Sequence, residues 1–144
     1  MKNLIAIITL FGFLFTTNAY AQDQMLKADQ LPNEITEYVQ QHFPDSKISA
    51  AQKEDEIFGP VEYEVWLDNG TEIDFEKTTV TNIESNTELP QSVIPENIAA
   101  YVQSNFSNNH IVSIDFDDNK QGVELDNDME LVFDNQGNFK GMDD

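Results

Sequence analysis

The spacing of apolar residues along the chain follows one rule, then another, and then both return. Ile35, Tyr38, Val39 and Phe43 fall at i, i+3, i+4 and i+8, which predicts a helix with a single apolar stripe. Pro32 suits the first turn of that helix, where a missing N–H costs nothing, and Pro44 ends it. The period then changes to two. Tyr63, Val65 and Leu67 alternate with Glu62, Glu64, Trp66 and Asp68, and Ile73 and Phe75 alternate with Glu72, Asp74 and Glu76. Asp68-Asn69-Gly70 between these runs predicts a hairpin, because Asn-Gly readily takes the positive φ values of a type I′ turn. Further on, Ile98, Tyr101, Val102 and Phe106 repeat the helical stripe behind Pro95, and Val123, Leu125, Leu131 and Phe133 repeat the strands.

The second half is therefore a copy of the first. Pro32/Pro95, Ile35/Ile98, Tyr38/Tyr101, Val39/Val102, Gln40/Gln103, Phe43/Phe106 and Ile48/Ile111 match at an offset of 63, and the hairpin residues match at 58. The first copy thus carries about five extra residues, for which 54–62, with Phe58-Gly59-Pro60 at its tip, is the natural place. Strands with one apolar face need a cover, and the helix stripe is the available one. The expected fold is α+β: two tandem repeats, each a helix plus an antiparallel meander, with helices on one sheet face and the other face wet. The repeats are placed at 31–85 and 86–144, after a linker over 22–30. One compact unit is expected, because a copy of about 55–60 residues has too small a core to stand alone.

The N-terminus reads as an address. Lys2 precedes an apolar run from Leu4 to Phe15, and Ala19-Tyr20-Ala21 is a small-x-small cleavage pattern. That run is well short of the ~20 residues that span a bilayer, so residues 1–21 are expected to be a signal peptide cut after Ala21. The mature chain is then periplasmic or secreted, with no stable membrane insertion. With no cysteine to acylate, it is not a lipoprotein.

Charge sharpens the picture. Twenty-seven acidic residues against seven lysines give a formal net charge of -20. This works against nucleic acid, whose affinity for proteins comes largely from Lys and Arg neutralising phosphates. Hydrophobic content of 40% and ten phenylalanines argue equally against a disordered acidic tail. Period-two alternation puts the acid opposite the apolar face, where Glu64, Asp68, Glu72, Asp74, Glu124 and Asp126 form a candidate face with Trp66 among them. Such a face is either simply solvated or a surface that steers a basic protein or peptide. The counterpart of Trp66 in the second copy is Glu124, an outward residue. Trp66 is accordingly either covered by the 54–62 loop, with Phe58 at its tip, or exposed as a contact anchor.

Catalytic and metal motifs are sparse. Asp115, Asp117 and Asn119 stand at positions 1, 3 and 5 of an EF-hand-like loop, but Lys120 replaces the required Gly and Asp126 the bidentate Glu. His42 and His110 are not equivalent in the two copies and belong to no metal-ligating pattern. No nucleophile elbow, P-loop or dinucleotide fingerprint occurs, so neither enzyme activity nor a cofactor is expected.

The pattern Leu31-Pro-x2-Ile-x2-Tyr-Val-x3-Phe-Pro44, followed by Tyr63-Glu-Val-x-Leu-Asp-Asn-Gly-x-Glu-Ile-Asp-Phe75, resembles the β-lactamase-inhibitor-like, PepSY-like domains of exported bacterial proteins. The likeness covers 31–143 in two copies, with Asp128 replacing the turn glycine in the second. It implies a helix plus four-stranded antiparallel sheet per copy and a role in binding or inhibiting a protein. PepSY domains elsewhere accompany secreted peptidases, which extends the inhibitory role by analogy. β-Lactamase inhibitory proteins share the tandem build, but their contact residues have no counterpart motif here, and the absence of cysteine is a departure from them. The functional expectation is an exported, non-enzymatic protein-binding module acting through the acidic face. An acidic calcium-binding or structural envelope protein is the alternative.

Overall fold

The computed structural model describes residues 24–55 and 58–143. The apolar run and the cleavage site after Ala21 lie outside the described residues. Two helices form where the stripes predict them, α1 (Asn33–His42) and α2 (Glu96–Asn105). Each proline sits one residue before its helix, and its carbonyl accepts the first backbone bond, Pro32 from Ile35 at 3.1 Å and Pro95 from Ala99 at 3.0 Å. Both helices stop alike, with Phe43 N–H donating to Val39 at 2.8 Å and Phe106 N–H to Val102 at 2.7 Å.

Nine strands make one antiparallel sheet in chain order: β1 (Gln24–Leu26), β2 (Ile48–Asp55), β3 (Val61–Leu67), β4 (Glu72–Glu76), β5 (Thr79–Glu84), β6 (Ile111–Phe116), β7 (Lys120–Leu125), β8 (Glu130–Asp134) and β9 (Phe139–Asp143). The chain is α+β, as expected. Residues 24–30, expected as a linker, contribute the edge strand β1 and a short 3-10 turn. The halves join edge to edge, where β5 pairs with β6 through Asn82–Asp115, Ile83–Ile114 and Glu84–Ser113. The sheet is thus continuous across the join.

The stripe residues Ile35, Val39, Ile98 and Val102 are buried in one apolar cluster with Val65, Ile73, Phe75, Val123, Leu131 and Phe133 of the strands. Tyr38 meets Phe75 edge-on at 5.7 Å between ring centroids, and Tyr101 meets Phe133 likewise at 5.4 Å. Such pairs add to the ~1.5–3 kcal/mol that burying each large apolar side chain supplies. The extra residues of the first copy lie where the offset places them. They lengthen β2 and β3 relative to β6 and β7, and five residues separate Asp55 from Val61 against three between Phe116 and Lys120.

One turn differs from expectation. Gly70 alone in its hairpin has a positive φ, +85°, so the connection is not a type I′ turn, which needs two such residues. Leu67 N–H donates to the Thr71 carbonyl at 2.8 Å, closing a loop of Asp68, Asn69 and Gly70. Asn69 supports it by accepting from Thr71 N–H at 3.0 Å. In the second copy Asp128 holds the glycine's place at φ +63°.

Candidate binding face

Strand register fixes which side chains share the face away from the core. One lateral row crosses the sheet as Gln52, Glu64, Asp74, Asn82, Asp115, Gly122, Val132 and Gly141. The next row runs Ala50, Trp66, Glu72, Glu84, Ser113, Glu124 and Glu130. Carboxylates stand directly opposite one another five times on this face: Glu54–Glu62, Glu62–Glu76, Glu64–Asp74, Glu72–Glu84 and Glu124–Glu130. Opposed like charges destabilise a sheet, so this arrangement costs the fold something it does not need for folding. The lysines on this face among the described strand residues gather at one end. Lys120 lies opposite Asp134 in register, and Lys140 pairs with Asp134 at 2.9 Å.

The structure brings Glu64, Trp66, Glu72 and Asp74 together. Trp66 is half-buried, and its Nε1 donates to Glu72 Oε2 at 2.7 Å, a charge-assisted bond that orients the indole along the sheet. One carboxylate oxygen from each of Glu64, Glu72 and Asp74 lies within 4.8 Å of the others, a set that could hold a cation. Asp74 accepts a long bond from Asn82 at 3.4 Å through Oδ2, while its Oδ1 is buried without a hydrogen-bond partner. Burial raises the Asp74 pKa above the usual carboxylate value, and the charges of Glu72, Glu62 and Glu84 push it the same way against the Asn82 bond.

Glu124 lies on the same face in the second half, in the lateral row of Trp66. Asp68 and Asp126 do different work. Asp68 Oδ1 accepts from Lys47 N–H at 2.9 Å, and Asp126 accepts from Asn109 Nδ2 at 2.8 Å and His110 N–H at 3.3 Å. Both tie a hairpin turn to the loop entering the first long strand of their copy. Phe58 stands apart. It is fully exposed, beyond the end of the β2–β3 hairpin where Asp55 pairs with Val61. Trp66 pairs with Ala50 five residues further along β3, about 17 Å away at strand spacing, so Phe58 does not cover the indole.

The remaining candidates do not converge. The His42 ring meets Tyr38 at a 40° tilt with centroids 4.4 Å apart and bonds Ser92 Oγ at 2.9 Å, whereas His110 Nδ1 lies 3.2 Å from Asp126. The EF-hand-like stretch forms a tight β6–β7 hairpin closed by Asp117 N–H on the Lys120 carbonyl at 3.0 Å. Sequence reasoning missed Glu84 as a member of the face. Its alternation with the buried Ile83 was the available signal.

Two helices and one continuous nine-stranded antiparallel sheet among the described residues define an α+β protein. Within that class the chain belongs to the family described as "Putative beta-lactamase-inhibitor-like, PepSY-like", whose model matches residues 17–78 and again 61–141. Three solved structures are similar. A "putative calcium-regulated periplasmic protein" of Bacteroides thetaiotaomicron is 30% identical with a TM-score of 0.79, over 85% of this chain and 97% of that one. A "putative periplasmic protein of unknown function" of Bacteroides vulgatus is 27% identical with a TM-score of 0.80, over 85% of this chain and 100% of that one. A second B. vulgatus "putative periplasmic protein" is 30% identical with a TM-score of 0.78, over 85% and 97%. No curated protein matches the chain.

Proposed function

We propose that this chain is an exported, periplasmic, non-enzymatic binding protein whose open sheet face captures a cationic polypeptide. The carrying observation is the set of carboxylates held opposite one another across β3–β4, β4–β5 and β7–β8. A basic partner relieves that repulsion, and the single-sign field speeds its approach. An exported enzyme with a basic rim is the partner class for which capture becomes inhibition. The signal-like N-terminus and the periplasmic description of the similar structures support the location.

Trp66, the one tryptophan of the chain, reports on the face directly. Titration with a lysine- and arginine-rich peptide should change its emission saturably. The affinity should fall at least about tenfold between roughly 20 and 300 mM salt. Combining Glu72→Gln with Asp74→Asn should weaken binding further. An emission change that a glutamine-substituted peptide produces equally well would contradict the proposal, as would no change.

A second reading is favoured by the convergence of Glu64, Glu72 and Asp74 and by the calcium-regulated description of one similar structure. On this reading a calcium ion binds there, its oxygen preference met by three carboxylates. Calcium should then raise the melting temperature beyond sodium chloride of equal ionic strength, and Asp74→Asn should abolish the excess. Equal effects of the two salts would remove this reading.

A further inference from the structure

The two halves of the open face are not alike. The lateral row of the first copy is Gln52, Glu64, Asp74 and Asn82; the equivalent row of the second is Asp115, Gly122, Val132 and Gly141. The first copy has its own hollow on this face, about 220 Å³, but Glu62, Glu64, Asp74 and Glu76 line it, whereas the second copy has two glycines around a valine. A hollow of about 200 Å³ results, floored by Gly122 and Val132 and rimmed by Asp115, Glu124, Glu130 and Lys120. It is smaller than the ~300–1,000 Å³ of small-molecule sites, so its occupant is a side chain rather than a free ligand.

We propose that this hollow is the socket for a lysine side chain of the cationic partner, its methylene stem on Val132 and Gly122 and its ammonium among the rim carboxylates. This inference rests on the binding reading above and names where the partner inserts. The rim carries three acids against the single cation Lys120, whose charge acts on Asp115 and leaves the rim with an excess of acid. A long cationic side chain fits an apolar floor with an acidic rim because it buries its stem while the charged head stays at the polar edge. The glycine at 122 is not there for backbone reasons. It has no positive φ, and an added Cβ would meet only the Asp115 Cβ at an ordinary 3.9 Å. The position tolerates a side chain, so what the glycine provides is the space above it.

The test separates stem from charge. Octalysine and its analogue built from diaminobutyrate carry equal charge, but each side chain of the analogue is two methylenes shorter. Calorimetric titration of the full mature chain should show octalysine binding about tenfold tighter, the value of two buried methylenes. Gly122→Leu should abolish that ratio while leaving the melting temperature close to wild type. Gly122→Glu, which installs the first copy's residue and adds acid, should abolish it too without weakening binding of the short analogue. Equal affinities in the wild type, or a ratio that survives both substitutions, would overturn the socket alone. Failure of both peptides to bind would overturn both the socket and the binding reading.

Discussion

Asp128 shows what a single backbone position costs. It sits at φ +63° where the first copy has Gly70 at φ +85°. An L-residue in this left-handed region is strained by Cβ against its following carbonyl, less for Asp than for most. Asp128→Gly should therefore stabilise the protein by about 0.5–1 kcal/mol, read from urea denaturation at constant m value. Asp74 is costly for another reason. Its folded pKa is raised, chiefly by burial, so the folded state favours its protonated form. Stability is fully retained below the ordinary carboxylate pKa of about 3.9 and is lost as pH rises through the raised value. Asp74→Asn should hence melt higher than wild type at neutral pH, and the two should converge near pH 4. A constant gap across pH would show that the carboxylate charge is not the cause.

At the scale of elements, most of the fold was legible because the apolar period changes cleanly from helix to strand. The Ile35–Phe43 stripe and the Val65–Phe75 alternation specify α1, β3 and β4 through burial alone, with local sequence and tertiary packing in agreement. Three features were not legible. β1 is three residues long with no buried side chain, so its pairing leaves no hydrophobic pattern. The Asp68 turn took the three-residue form because the closing pair is Leu67 with Thr71, a choice of register that Asn-Gly does not dictate. The acidic residues looked equivalent in alternation, yet Asp68 and Asp126 bond to backbone and hold the turns. Asp126 has the larger role, with three partners in Asn109, the His110 backbone and the His110 ring. Asp126→Ala should lower the melting temperature more than Asp68→Ala. The Asn109 bond leads the interactions that lower the Asp126 pKa, so its contribution is present at neutral pH and disappears as acid protonates it. The gap between wild type and Asp126→Ala should close in acid.

At the scale of the molecule, the join between the copies decides whether the open face is one rigid surface. Ile83 and Ile114 face each other across β5–β6 and are fully buried. The main chain extends the join, with Ser85 N–H on the Val112 carbonyl and Leu89 N–H on Ile111, each at 2.9 Å. Ile114→Ala should cost about 2–5 kcal/mol and still leave a single unfolding transition, because neither half carries an adequate core alone. Two separated transitions would show that the halves fold independently. The continuous sheet presents Trp66 with its acidic neighbours in the first half and the Gly122 hollow in the second. The candidate face was therefore half legible: alternation placed the acid, but only the cross-strand register revealed which carboxylates oppose one another and where the side chains run out. The most direct measurement is amide chemical-shift mapping during titration with a lysine-rich peptide. The account predicts salt-sensitive shifts on the open-face positions of β3, β4, β7 and β8, with the outer surfaces of α1 and α2 unmoved. Shifts concentrated on the helices, or none on the sheet, would contradict it.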